Sequence, residues 1–97
     1  MILVRNIFQA KYGRGDELVA LLKEGEKMMT RSSFANQRVL TDVTGQFFTV
    51  VMEHEVPSLA EYEKSMALMG DPDFGPWFAR MTELVDNGRR EIFTIVQ

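Results

Sequence analysis

The chain has 97 residues, of which 45% are hydrophobic and 26% charged, so it is long enough for a single domain over residues 1–97 with one core. Its net charge is −3 and its Lys and Arg residues are scattered, which argues against a nucleic-acid partner. The absence of cysteine excludes disulfides and thiolate chemistry and fits a cytoplasmic location, and no apolar run reaches the roughly 18 residues of a membrane span.

The first part of the chain predicts a strand followed by a helix. Residues 2–11 alternate between two mostly apolar faces, with Asn6 on the face of Val4 and Phe8. This pattern predicts a first strand rather than a signal peptide. Residues 16–31 then carry apolar side chains at three- and four-residue spacing, which predicts an amphipathic helix.

Gly25 lies on the apolar stripe of this helix. Glycine inside a helix costs about 0.5–1 kcal/mol relative to alanine, so its presence at that position needs a physical reason. Close packing of the helix against the sheet is one explanation, and room for a ligand above the sheet is the other. The sequence leaves both explanations open.

The middle of the chain predicts a hairpin. Residues 35–43 form a polar second strand, and residues 42–45 supply the turn chemistry that leads into a third strand over residues 46–56. That third strand has large side chains on both faces. One face carries Phe48, Val50, Met52, His54 and Val56, and the other carries Phe47, Thr49, Val51, Glu53 and Glu55.

The remaining residues predict a broken helix and a last strand. Ser58 and Glu61 are spaced as a capping box for the next helix. An Asp-Pro pair at 71–72 opens a further helical segment, because proline suits the first helical position. An Asn-Gly pair at 87–88 is predicted to end that segment, and residues 89–96 are predicted to form the fourth strand.

The predicted order is therefore β-α-β-β-α-β, an α+β, ferredoxin-like arrangement with a four-stranded antiparallel sheet and helices on one face. The other face would carry Leu3, Ile7, Phe47 and Val51. Because apolar faces of this kind mark interaction sites, we expect a homodimer in which a second copy covers that face. A monomer with a mixed polar and apolar face is the alternative, since Arg5 and Glu53 share the same face.

Three segments resemble the dimeric α/β-barrel (ferredoxin-like) superfamily. They are VTGQFFTVVMEHE at 43–55, SLAEYEKSMALM at 58–69 and DPDFGPWFARM at 71–81. Within the superfamily the chain is most similar to NIPSNAP-type proteins and less similar to antibiotic-biosynthesis-monooxygenase-like proteins. The resemblance implies a dimeric α/β barrel, a cavity between helices and sheet, and oxidation of polyphenolic substrates without a cofactor.

Some members of the superfamily degrade heme, but the resemblance does not predict this activity for this chain. Those members use an asparagine on the first strand, a tryptophan, and a histidine on a helix. Asn6 matches the first of these residues, but Trp77 is displaced to a later helical segment and His54 is on a strand.

The predicted cavity has two candidate catalytic residues, Asn6 and His54. His54 is the only histidine, and imidazole is the side chain whose unperturbed pKa lies near neutrality, so it is a candidate general base. The candidate ligand-binding residues are Phe8, Tyr62, Met66, Trp77 and Met81. The structural alternative for the aromatic residues is a place in the core. For the two polar residues it is a satisfied polar group within the sheet: a histidine hydrogen-bonded to backbone at a strand end for His54, and an internally satisfied strand amide for Asn6.

The sequence predicts no metal site and no cofactor, because one histidine and no cysteine leave only carboxylates, and Glu53 and Glu55 face away from His54. The expected function is a small homodimer that binds a small hydrophobic or aromatic molecule in a helix–sheet pocket, with cofactor-independent oxygenase activity as its enzymatic form. The alternative is a non-catalytic ligand-binding or structural assembly module.

Overall fold

Four strands and three α-helices follow the order that the hydrophobic periodicity predicts. The computed structural model describes residues 1–29 and 34–97, without the side chains of residues 28, 29, 68 and 69. The elements are β1 (Ile2–Ala10), α1 (Gly15–Met29), β2 (Ala35–Thr41), β3 (Thr49–Val56), α2 (Leu59–Ser65), a 3-10 turn (Met66–Gly70), α3 (Phe74–Leu84) and β4 (Val85–Thr94). The predicted break in the second helix is therefore confirmed as a 3-10 turn between α2 and α3.

The four strands form one antiparallel sheet in the order β2-β3-β1-β4. This order, with crossover helices, is the α+β ferredoxin-like fold that the sequence predicts. In the central strand β1, Asn6 lies opposite Met52 of β3 and opposite Arg90 of β4. Residues directly opposite one another point to the same face of a sheet, so the register decides which side chains meet.

The helices cover the sheet face that carries Val4, Val50 and Val56, all of which are almost fully buried. Leucines at helical spacing on α1 supply the other half of this core; they are Leu18, Leu21 and Leu22. Each fully buried leucine contributes roughly 1.5–3 kcal/mol through the hydrophobic effect. The two predicted periodicities, of two on the strands and of 3.6 on α1, therefore meet at this interface.

The start of β3 differs from its prediction. The strand begins at Thr49, so Phe47 and Phe48 precede it, and Phe47 is not one of the strand residues of the open sheet face. Phe48 has a φ of +60°, a left-handed conformation that a ladder residue does not adopt. The Asp42 carboxylate accepts a hydrogen bond from the Thr49 backbone N–H at 3.1 Å, which fixes where pairing resumes.

The start of β4 also differs. The strand begins at Val85, directly after α3, so the Asn-Gly pair at 87–88 lies inside the strand and does not end the helix. Gly88 lies opposite Phe8, and a Cβ atom at Gly88 would come within 3.2 Å of the Phe8 ring. The glycine is therefore explained by the ring that lies over it, a contact between opposite ends of the chain that local turn chemistry does not reveal.

Gly25 brings α1 and α3 together. The Trp77 indole N–H donates a hydrogen bond to the Leu21 carbonyl of α1 at 2.8 Å, and the indole ring lies against Gly25. A Cβ atom at Gly25 would lie 2.7 Å from Trp77 Cζ2, closer than two carbon atoms can pack. Helix–helix packing therefore accounts for this glycine.

Gly25→Ala is expected to lower the free energy of unfolding by about 1–3 kcal/mol, because overpacking outweighs the gain in helix propensity. Gly75→Ala in α3 is the matched control, since a Cβ atom there would meet no atom within 4 Å. It should leave stability unchanged or raise it by about 0.5–1 kcal/mol. Urea denaturation measures both variants, and a Gly25→Ala protein as stable as the parent would contradict this packing.

Candidate functional site

A group of polar side chains lies on the helix-facing side of the sheet, between α2 and β4. Asn6 and Arg90 are directly opposite one another on β1 and β4, and the Arg90 Nε–H donates a hydrogen bond to Asn6 Oδ1 at 2.8 Å. His54 lies opposite Val4, so it shares this face one pleat further along β1. Strand alternation and register thus bring together the two predicted catalytic residues and an arginine.

His54 is covered by aromatic rings. Its side chain is only 2% exposed. The Phe34 ring stacks on it with centroids 3.9 Å apart and planes inclined by 23°. The Tyr62 ring of α2 is also nearly parallel to it, with centroids 6.5 Å apart. The imidazole therefore lies in an aromatic environment that shields it from water.

Neither ring nitrogen of His54 has a hydrogen-bond partner among residues 1–29 and 34–97. Most buried polar atoms in proteins do have a partner, and leaving one unpaired costs roughly 1–3 kcal/mol. The predicted alternative, a satisfied polar group within the sheet, does not describe His54 in this structure. An unpaired buried imidazole is a group with free capacity for a ligand.

Burial, with a smaller contribution from the positive charge of Arg90, lowers the pKa of His54 from 6.5 to about 4. The imidazole is therefore neutral at pH 7. A neutral imidazole offers one N–H donor and one nitrogen acceptor, so it can orient a polar ligand group or accept a proton from it.

Arg90 connects this group to solvent. It is exposed on the edge strand β4, and its guanidinium Cζ lies 5.6 Å from the centre of the Tyr62 ring, within the range of a cation–π contact. Burial raises the pKa of the Tyr62 phenol, and the Arg90 charge opposes that effect. We call the group of side chains formed by Asn6, His54, Tyr62 and Arg90 the His54 cleft, in which Arg90 is exposed and His54 is covered.

The other predicted ligand-binding residues lie in different surroundings. Trp77 belongs to the hydrophobic core beside α1, and Phe8 and Met81 pack against that core. The Trp77 N–H is already used by the Leu21 carbonyl. Met66 lies in the 3-10 turn and is partly exposed. Of the predicted ligand-binding set, only Tyr62 has described contacts with His54 and Arg90, and a ligand role stays a prediction for all of these residues.

Arg90 is the residue that the sequence analysis missed. The available signal was alternation along the last strand, which places Arg90 on the same face as Ile92. Ile92 lies opposite the buried Val4, and that register places both side chains on the helix-facing side. Ile92 is nevertheless 40% exposed, so the helices leave this part of β4 open.

The open face of the sheet carries an ionic cluster as well as apolar side chains. Glu53 is buried between two arginines, with Arg5 Nε 2.7 Å and Arg38 Nε 2.6 Å from its carboxylate oxygens. The Arg5 N–H is not aligned for a hydrogen bond, so this contact is an ion pair only. Beside the cluster, a groove of about 320 Å³ lies over Ile7, Val51 and neighbouring polar residues.

Two further features of the described residues concern metal ions and membranes. In residues 1–29 and 34–97, no three His, Cys, Asp or Glu side chains lie close enough together to hold a metal ion. No helix in the same part of the chain has the length and apolar character needed to cross a membrane.

Solved structures share this architecture over the whole chain. A NIPSNAP domain protein from Burkholderia xenovorans superposes with a TM-score of 0.88 at 14% identity, covering 99% of this chain and 95% of its own. A NIPSNAP family protein from Agrobacterium tumefaciens gives a TM-score of 0.82 at 17% identity, covering 98% and 85%. This chain shares the ferredoxin-like fold of these NIPSNAP proteins. The resemblance predicted from the sequence is thus confirmed for the fold.

The same fold also occurs in an enzyme. SnoaB, a cofactor-independent oxygenase from Streptomyces nogalater, superposes with a TM-score of 0.76 at 15% identity, covering 99% of this chain and 93% of its own. At the level of sequence, no protein-family model and no curated protein matches the chain. The shared fold alone does not decide between a catalytic and a non-catalytic function, which depends on the residues of the site.

Proposed function

We propose that the protein binds a small hydrophobic or aromatic molecule in the His54 cleft. The observation that carries the proposal is the buried imidazole of His54, which has two unpaired nitrogens and lies beside two aromatic rings. A ligand with an aromatic ring and a polar group would stack on these rings and pair with a ring nitrogen. Because His54 is covered, binding requires the ring of Phe34 or Tyr62 to turn aside, a side-chain change that is common on binding.

We further propose cofactor-independent oxygenase activity as the enzymatic form of this function. An acidic CH2 group of the bound molecule would give a proton to the neutral His54 imidazole, and the resulting carbanion would form a carbon–oxygen bond to O2. The peroxide anion would take the proton back from the imidazolium, and loss of water from the hydroperoxide would leave a carbonyl group. A base with a pKa of about 4 is weak, so this form requires that substrate binding raise the pKa of His54. The shared fold with SnoaB supports the proposal, and a non-catalytic binding module is the alternative.

The binding proposal is tested by NMR on the imidazole itself. His54 is the only histidine, so its ring signals need no further assignment. A library of small aromatic compounds should contain members that shift these signals. Calorimetry should show that His54→Phe raises the dissociation constants of these compounds roughly 10- to 100-fold. Compounds that bind equally well to His54→Phe, or a library without any binder, would contradict the proposal.

Oxygen consumption separates the enzyme from the binding module. With a bound library compound, the wild-type protein should consume O2 and His54→Phe should not if the cleft is an oxygenase site. Binding without O2 consumption would identify a non-catalytic module and would leave the binding proposal intact. No metal or organic cofactor is added in either assay.

We also propose that a second copy of the chain covers the open face of the sheet. Leu3 and Phe93 lie opposite one another on that face, and Leu40 lies opposite Val51. Phe93 and Leu40 are exposed in the single chain. Apolar side chains around the ion pairs of the buried Glu53 support a specific, two-fold contact.

A further inference from the structure

We propose that the ligand of the His54 cleft is an aromatic anion and that Arg90 selects it. This inference rests on the proposed binding function and adds the charge of the ligand and the residue that recognises it. The chemical class is an aromatic ring with an ionised oxygen group, such as an aryl carboxylate.

The guanidinium of Arg90 is held in a fixed orientation with part of it free. Its Nε–H is used by Asn6 Oδ1, whereas its two terminal nitrogens have no partner among the described residues. The hydrogen bond from Nε fixes the plane of the group. The terminal N–H groups of a fixed guanidinium match the two oxygens of a carboxylate, so Arg90 offers a preformed fork for an anion.

No carboxylate within the described part of the chain neutralises Arg90. Its strand neighbours, Arg89 and Glu91, alternate to the opposite face of the sheet. There Glu91 lies 3.5 Å from Arg89 Nε and 3.7 Å from Arg5. Among the described residues, the groups shown beside Arg90 are the Asn6 amide, the neutral imidazole of His54 and the Tyr62 phenol, so none of them offsets its positive charge.

The surroundings of the free guanidinium are apolar and aromatic. The Tyr62 ring lies beneath it, and Ile92 is exposed on the same face of β4, two residues along the strand. An anion that binds here can therefore place an aromatic or apolar body on Tyr62 and Ile92. This combination favours an aromatic anion over a small inorganic ion, which would leave the apolar surface unused.

A matched pair of probes tests the inference. 1-Naphthoate carries the carboxylate, and 1-naphthamide has the same ring and nearly the same shape without the charge. We expect the wild-type protein to bind the naphthoate roughly 10- to 100-fold more tightly than the amide, with a preference that declines as salt is added. Calorimetry and the His54 ring signals measure both affinities.

Arg90→Gln should remove this preference, lowering the affinity for naphthoate and leaving that for naphthamide unchanged. Arg80→Gln is the charge-matched control, because Arg80 is exposed on α3 and pairs with Glu24. It should leave both affinities at wild-type values. Binding of the naphthoate should also raise the pKa of His54, since the anion offsets the positive charge of Arg90.

The outcomes separate this inference from the function on which it rests. Equal affinity of the wild-type protein for the two probes would overturn the anion inference while leaving aromatic binding in place. If Arg90→Gln lowered the affinity for both probes equally, Arg90 would only maintain the shape of the cleft, and the anion inference would be overturned. If neither probe nor any library compound binds to the wild-type protein, the proposed function itself fails.

Discussion

Replacing His54 by phenylalanine is expected to stabilise the folded protein while weakening its binding of ligands. The substitution keeps an aromatic ring against Phe34 and removes two buried nitrogens that have no described partner. Removing such unpaired polar atoms should raise the free energy of unfolding at pH 7 by about 1–3 kcal/mol. For a domain of this size, each kcal/mol raises the melting temperature by about 4–8 °C.

The stability difference should grow as the solution becomes acidic. The pKa of His54 is about 4 in the folded protein and 6.5 when the side chain is free, so between these values the unfolded chain binds a proton that the folded chain does not. Wild-type stability therefore falls as the pH falls from 6.5 to 4, by about 1.4 kcal/mol per pH unit at most. His54→Phe should not show this decrease in stability, because it has no imidazole to protonate. Protonation of carboxylates changes the stability of both proteins alike.

His54→Gln is the control for these effects. It removes the titratable group but keeps a buried amide, so it should lose the same pH dependence without gaining the stability of His54→Phe. Thermal and urea unfolding across the acidic range measure all three proteins. If His54→Phe were less stable than the wild type, with parallel pH profiles, the imidazole would have to be paired in the folded protein.

Phe93→Glu is expected to convert the proposed dimer into a folded monomer. Phe93 is 48% exposed on the open face of the single chain, so a carboxylate there remains solvated when the chain is alone. In a dimer formed through this face the same carboxylate would be buried without a partner, which costs several kcal/mol. The dimer should therefore weaken by roughly 100-fold or more.

The position of this substitution matters. Val51, on the same face, is only 9% exposed in the single chain, so a charge at that position would also destabilise the monomer. Val43→Glu is the better control, because Val43 is fully exposed in the hairpin, outside the strands. Sedimentation at micromolar concentration should give dimers for the wild type and Val43→Glu, and monomers for Phe93→Glu. A monomeric wild type would contradict the proposed interface.

The sequence predicts the layers of this fold well because the layers depend on short-range periodicity. Alternation in β1 and β3 places Val4 and Val50 in the core, and the helical spacing of Leu18 and Leu22 places them against the same face. The Ser58 hydroxyl accepts a hydrogen bond from the Glu61 backbone N–H at 3.2 Å, as the capping pattern predicts. None of these features needs knowledge of a distant residue.

The predictions that failed depend on distant contacts. Gly88 was interpreted as a stop because the glycine next to Asn87 is a common turn signal, but it makes room for the Phe8 ring across the sheet. The hydrogen bond from the Trp77 indole N–H to the Leu21 carbonyl, 56 positions earlier in the chain, was likewise not predictable, whereas the ligand role of Trp77 stays a prediction. Local sequence does not contain these partners.

The candidate site also combines features that follow from local periodicity with features that depend on distant contacts. Asn6, His54 and Tyr62 could be assigned to one layer from alternation and from the helical stripe. The pairing of Arg90 with Asn6 spans 84 positions and depends on the register of β4, which starts earlier than predicted. The sequence alone therefore did not predict that the positive charge of Arg90 lies beside Asn6 and His54.

The proposed site depends most directly on a neutral, buried His54 imidazole, and an NMR pH titration of its ring signals measures the pKa of this group. We expect a pKa close to 4 in the free protein, because the imidazole is buried, unpaired among the described residues and next to the Arg90 charge. A pKa near or above the ordinary value of 6.5 would show that the ring is solvated or paired, and would contradict the proposed site.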